Sequence, residues 1–306
     1  MAQLRESILK VVAYFDLFNY PVTLEEIRHF LDQPVHGDDL PAALESLLDK
    51  QLLWQHSHYY SCKNDPQLVE RRKRGNQMAV KQLKKAMQVA RVLSWFPYVR
   101  GVGISGSLSK NIAYKGSDLD FFIITAANRL WIAKILLQLL VRMVILVGQK
   151  RLCCLNYYID EQALEIGETN IFIAIEVNTL LPARGKQIFQ RFFAANQWIS
   201  EYLPNSATKQ LPADELQNGV IKRLFEYLLD NSVGEKIDNW LLQLHSRRWK
   251  RQLTYNKLDP NGFPIGGISC DKHYCKPLPQ NFQNKVLSRY QENVNTIRAK
   301  YTLVMD

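Results

Sequence analysis

Cysteine is scarce in this chain. Cys62, Cys153, Cys154, Cys270 and Cys275 form an odd, widely spaced set, which excludes a dense disulfide framework and suits reduced thiols. A secretion signal is lacking too. The opening stretch MAQLRESILKVVAYFDLFNY carries Glu6 and Asp16 inside its apolar pattern and ends in no small-residue cleavage site, so the chain is expected in the cytoplasm. There is no internal repeat and no low-complexity tract, which excludes solenoid and linker-like architectures. A charge-free apolar run long enough to span a membrane is also missing. Leu130 to Gly148 comes nearest, but Lys134, Gln138 and Arg142 recur at i, i+4 and i+8 as one polar stripe. That segment reads as a core helix with its remaining faces buried, and no membrane partner is expected.

What is present is an ordinary folding composition. The 306 residues, 47% hydrophobic and 22% charged, suffice for two or three domains. The net charge of +10 is unevenly spread. Residues 1–62 hold four basic and nine acidic residues, whereas residues 63–100 hold ten basic and two acidic, including the run Arg71-Arg72-Lys73-Arg74. Such a band could hold polyanions or phosphates, or be the solvated face of a connecting helix.

Four regions follow from periodicity and punctuation. In residues 1–62, Ser7 to Asn19 is apolar at helical spacing, and Thr23 with Glu26 three residues on predicts a capped helix start. A third helix runs from Gly37-Asp38-Asp39 through Lys50, and LLWQHSHYYSC offers two short strands around His56-Ser57-His58. Three helices followed by a hairpin resemble a winged helix-turn-helix. Its third helix carries Asp38, Asp39, Glu45 and Asp49 against Lys50 alone, which argues for protein docking over duplex DNA. Residues 63–96 read as a basic linking helix, Asn64 to Phe96, stopped by Pro97. Residues 97–167 read as an α/β core. Its strands are Val99 to Ile104, Leu119 to Thr125 and Leu152 to Ile159, with Ala163 to Ile166 as a hairpin partner of the last. Residues 168–306 read as helical: Thr169 to Leu180, Gly185 to Trp198, Val220 to Trp249 and Asn281 to Tyr301, with a loop-rich stretch over 254–281.

Within the core, GISGSLSKNIAYKGSDLDFFII sets Asp118 and Asp120 one residue apart at the mouth of a buried strand. At i and i+2 both carboxylates leave the same face, and their repulsion and desolvation call for a positive partner, most often a divalent cation. Gly106-Ser107, ten intervening residues, then Asp118-Leu119-Asp120-Phe121 is similar to the signature of the DNA polymerase β-like nucleotidyltransferase superfamily. The resemblance covers roughly residues 97–160. It implies an α/β (α+β) nucleotidyltransferase core in which Asp118 and Asp120 hold Mg²⁺ and are catalytic. Gly106 and Ser107 would line the nucleotide phosphates, with Ser109, Lys110 and Lys115 either assisting or standing in a solvated loop. The reaction implied is transfer of a nucleoside monophosphate from an NTP, ATP ranked first, to a hydroxyl. The acceptor is left open among a protein side chain, a small molecule and an RNA end.

The family pattern includes a third carboxylate on the strand after the core helix, and Asn156 occupies the matching position here. An amide can lend an oxygen to a metal but no charge. Asp160, four residues on along the same strand face, and Glu176, within FIAIEV, are the alternative third ligands. The substitution keeps a second reading open, a degenerate nucleotide-binding sensor or docking protein, with a winged-helix transcriptional regulator as a third. Other features are weaker. Cys270-Asp271-Lys272-His273-Tyr274-Cys275 has metal-capable side chains at loose spacing, and His56 and His58 read as exposed turn residues. Trp95, Trp131, Trp198, Trp240 and Trp249 read as core rather than base-stacking platforms.

Overall fold

The structure is a computed structural model that describes residues 1–35, 39–146, 153–206, 214–216, 219–254, 269–276 and 280–305. Helix α1 (Ala2–Asp16) is followed by β1 (Val22–Thr23), α2 (Leu24–Phe30), α3 (Asp39–Asp49) and the hairpin β2 (Trp54–His56) and β3 (Tyr59–Ser61). Thr23 caps α2 as its spacing from Glu26 predicts. The Thr23 hydroxyl accepts from Glu26 N at 3.2 Å, and the Glu26 carboxylate accepts from Thr23 N at 2.9 Å. Strand β3 pairs antiparallel with both β1 and β2, closing a three-stranded sheet.

Helix α4 (Gln67–Ser94) leads into β4 (Val99–Ile104), the short α5 (Gly106–Ser109), β5 (Asp120–Thr125), α6 (Leu130–Leu146) and β6 (Cys154–Asp160). Next come α7 (Ile171–Thr179), β7 (Leu181–Arg184), α8 (Lys186–Ala195), α9 (Ile199–Tyr202), α10 (Val220–Leu229) and α11 (Ser232–Thr254). Strands β8 (Ser269–Cys270) and β9 (Tyr274–Lys276) and helix α12 (Gln280–Met305) end the order. The main sheet runs β7-β4-β5-β6-β9-β8, with β5 and β6 parallel and every other pair antiparallel. The fold is therefore of the mixed α+β class.

Period-two alternation along β5 builds both faces. Phe121 and Ile123 turn to a core shared with Ala86, Ala90 and Leu93 of α4 and with Trp131 and Leu137 of α6. Phe122 and Ile124 turn to a second core with α7 and α8, and that cluster continues without a break into α1, α2 and α3. Helix α12 lies against α1, where Tyr290 stacks edge-on with Tyr14 at 5.7 Å and Arg298 pairs with Glu6 at 2.5 Å.

Several sequence expectations need correction. The supposed polar stripe of α6 is not a stripe to solvent: Lys134 is fully buried, its ammonium 5.2 Å from the centre of the Trp131 ring. The other faces are not all buried either, because Leu139, Met143, Ile145 and Leu146 in the last turns are exposed. Ala163 to Ile166 is no hairpin partner of β6; that place is taken by β9. The Asn196 side chain holds the segment in an irregular course, accepting from Ile166 N at 2.9 Å and donating to Leu164 O at 2.8 Å. The stretch after residue 168 is not purely helical, since β7 forms a sheet edge where Pro182 needs no ladder donor. Val220 to Trp249 is two helices, α10 and α11, and residues 255–268 of the expected loop lie outside the described residues. Among the described residues, no helix is long and apolar enough to cross a membrane.

Candidate functional site

The ends of β4 and β5 meet where Ser105 N donates to Asp120 O at 2.9 Å. Immediately after, Gly106 adopts φ +68°, a left-handed conformation that favours glycine. A Cβ there would overlap Oδ2 of Asp120, so the acid packs directly on the glycine backbone. Asp118 stands two residues earlier. Its Oδ1 is buried with no hydrogen-bond partner, and its Oδ2 accepts from the Cys154 thiol at 3.7 Å. Among the described residues, neither Asp118 nor Asp120 is in an ion pair.

Asn156 lies in the irregular register between β5 and β6, and its Nδ2 donates to Asp120 Oδ1 at 2.5 Å. Burial pushes the Asp120 carboxyl up to about 6, helped by the negative charges of Asp118 and Glu176 and opposed by the Asn156 bond and Lys110. Burial also raises the Cys154 thiol to about 11, reinforced by Asp118, so it stands as a protonated donor.

These features fit a divalent cation of the magnesium type. Such ions take one or two carboxylates and complete their shell with water and substrate phosphates. The orphaned Asp118 oxygen and the Asp120 oxygen at the glycine are the two donors on offer. Among the described residues, no group of three or more His, Cys, Asp or Glu converges to hold a metal. The cysteines of the Cys270–Cys275 stretch are cross-strand neighbours on β8 and β9, with Cys275 in the core, while His273 Nδ1 is 2.8 Å from Asp160.

The remaining candidates divide. Ser107 borders the glycine, and its hydroxyl has no hydrogen-bond partner among the described residues. Ser109 donates to Gly106 O at 2.8 Å, which braces the turn. Lys110 and Glu176 neutralise each other at 2.8 Å, with Lys110 also donating to Gly106 O at 3.2 Å. Glu176 is thus a partner of Lys110 beside the site rather than a third acid on the pair. Asp160 is not at the site. It pairs with Thr125 at the opposite end of β5, fully buried, accepting from Asn128 N at 2.9 Å and Gln162 N at 2.9 Å. Trp131 is buried, but Trp95 and Trp240 are exposed, against the expectation of core positions; the Trp249 side chain lies outside the described ones.

Sequence reasoning missed how the N-terminal helices reach this place. Tyr20 donates to Lys110 O at 3.0 Å, and His29 Nε2 is 2.7 Å from Asn178 Oδ1, two residues from Glu176. Neither contact has a local sequence signal. Arg72, from the basic run, is buried rather than offered to phosphates: it forms a two-pronged pair with Glu26 at 2.6 and 2.7 Å. Arg71, Lys73, Arg74, Lys81, Lys84, Lys85 and Arg91 of α4 remain exposed. Comparison with family models, curated proteins and solved structures found no match to this chain.

Proposed function

We propose that the chain is a nucleotidyltransferase of the DNA polymerase β-like kind, which moves a nucleoside monophosphate from an NTP, ATP first among them, to a hydroxyl. The observation that carries the proposal is the packing of Asp120 on Gly106, next to an Asp118 oxygen that is buried and unpartnered. A buried anionic oxygen without a partner is costly, and a cation shared with its neighbour removes that cost. The element order supports the same family: β4, a glycine turn, antiparallel β5 that opens at Asp120 just after Asp118, α6, then parallel β6.

Asp118 and Asp120 would hold the metal, Gly106 would let phosphate oxygens approach the backbone, and the Ser107 hydroxyl is open to donate to them. Mg²⁺, when bound, supplies charge neutralisation at the phosphates and activation of the attacking hydroxyl. The bond from acceptor oxygen to α-phosphorus forms as the bond to pyrophosphate breaks. The acceptor is a protein side chain, a small hydroxylated molecule or an RNA end. The winged-helix-like arrangement of α1–α3 and β1–β3 suits protein docking, since α3 presents Asp39, Glu45 and Asp49.

A second reading has its own observation. Asn156 stands where the family has its third acid, and it donates to Asp120 instead of adding charge. That favours a nucleotide sensor without turnover. Incubation with α-phosphate-labelled NTP and Mg²⁺ separates the two: the transferase yields labelled product or self-labelling that Asp120→Ala abolishes. Tight nucleotide binding with no transfer selects the sensor. Absence of both binding and a Mg²⁺-dependent rise in melting temperature removes the nucleotide reading altogether.

A further inference from the structure

Helix α10 turns two of its charged residues, Lys222 and Glu226, inward beside Phe225 and Leu229. Lys222, 2% exposed, donates to Ser94 O at 3.0 Å and Val99 O at 2.8 Å. Glu226 accepts from Tyr98 N at 2.6 Å and from the Arg100 guanidinium at 2.9 and 3.1 Å. With the helix pinned this way, Val220, Ile221, Leu224, Tyr227 and Leu228 face solvent, each between 58% and 84% exposed. Five large apolar side chains on one helix make a patch of roughly 600 Å², at the upper end of what a monomer carries. Helix α11 follows in the chain and packs on α10, and it adds Val233, Ile237, Trp240 and Leu244 at i, i+4, i+7 and i+11. The total comes to roughly 1,000 Å², against about 800 Å² per partner in a standard interface.

The α10 positions are symmetric about Leu224. Val220 and Leu228 lie four residues to either side, and Ile221 and Tyr227 lie three. A two-fold axis through Leu224, perpendicular to the helix, therefore lays the stripe on an antiparallel copy of itself: Leu224 on Leu224, Val220 against Leu228, Ile221 against Tyr227. Exposed charges alongside are of both signs, Arg223 and Lys236 with Asp230 and Glu235, which suits a protein rim better than an anionic membrane. We propose that α10 and α11 form the isologous interface of a homodimer with Leu224 on its two-fold axis, independently of what the nucleotide site does.

Sedimentation equilibrium of the full chain at micromolar concentration tests this. The wild type is expected as a dimer, and Leu224→Glu and Leu224→Lys each as monomers, because like charges then meet across the axis. An equimolar mixture of the two variants should recover the dimer, since Glu faces Lys. Circular dichroism checks that each variant folds, and Ile221→Lys, at a site 84% exposed, serves as a second monomerising change. A monomeric wild type, a dimer that survives the changes, or a mixture that stays monomeric overturns the proposal. So does a monomeric wild type that pellets with phosphatidylserine–phosphatidylcholine vesicles while Leu224→Glu does not, which assigns the face to a membrane.

Discussion

Gly106 makes the sharpest demand on a single residue. Its positive φ and the carboxylate lying where a Cβ would project are two separate penalties for any other side chain. Gly106→Ala is expected to lose about 1–3 kcal/mol, roughly half from the left-handed backbone and the rest from displacing Asp120. Thermal unfolding reads the stability, and NTP binding should fall with it even at temperatures where the variant is folded. The proximity of Gly106, Asp120 and Asn156 follows the order of turn and strands that the sequence suggests, although Asn156 stands at an irregularity of the β5–β6 register that no parity foretells. Asp160 is misread from strand parity. Alternation tells which face of a strand a residue occupies but not which of the neighbouring residues at the strand's two ends it stands beside. Thr125, the strand partner of Asp160, lies five positions along from Asp120, roughly 16 Å of strand. Glu176 is misread for a different reason: a carboxylate within an apolar helix does not declare whether it serves a metal or a lysine, and Lys110 takes it.

At the level of elements, helices with strong punctuation and the local hairpin of β2 and β3 are legible, and short strands paired at long range are not. Thr23 with Glu26 marks α2, Pro97 closes the region of α4, and β4 runs over the stretch its apolar residues mark out. Strands β7 and β9 are four and three residues long and pair with β4 and β6, far away in the chain, so no window of sequence holds those pairings, and the two-residue β8 is the local hairpin partner of β9. Helix α10 shows a further limit: hydrophobic periodicity predicts an apolar side facing in, whereas Lys222 and Glu226 override it by binding backbone groups at the junction of α4 and β4. This anchoring has a measurable signature. Burial lowers the Lys222 ammonium from its ordinary value of 10.5 to about 8. Below pH 8 both folded and unfolded chains carry the charge, and its burial cost is present in full. Between pH 8 and 10.5 the folded chain releases the proton while the unfolded chain still holds it, so wild-type stability rises with pH relative to Lys222→Met. The difference is expected to move by about 2–3 kcal/mol across that window. Denaturant unfolding of both proteins at pH 7 and pH 10 measures it, and a difference that stays constant with pH would show that the folded chain keeps the Lys222 proton as the unfolded chain does, its ammonium not shifted by burial.

For the whole molecule, the question is whether the N-terminal helices are a detachable module or part of the machine that carries the site. The sequence suggests a seam near residue 62, where acidic composition gives way to basic. The structure puts a clamp across that seam. Arg72 of α4 is 4% exposed, bonds Glu26 and Pro21 O, and lies between the Tyr20 and Tyr59 rings, at 4.0 and 4.7 Å from their centres. Tyr20 in turn reaches Lys110 O, so α2, α4 and the loop after Gly106 are tied by one buried network. Charge composition could not reveal this, because a buried arginine and a solvated one look alike in a basic run. Removing one partner of a buried ion pair leaves the other uncompensated, and Arg72→Ala is expected to cost about 3 kcal/mol or more. If the clamp joins the two regions into one cooperative unit, calorimetry of the wild type gives a single transition whose van't Hoff and calorimetric enthalpies agree. Arg72→Ala should then melt lower as one transition or split into two, and NTP affinity should fall although Arg72 is remote from Asp118 and Asp120. Two transitions in the wild type, or a destabilised variant with unchanged NTP affinity, would mean that the N-terminal region rests on the site without shaping it.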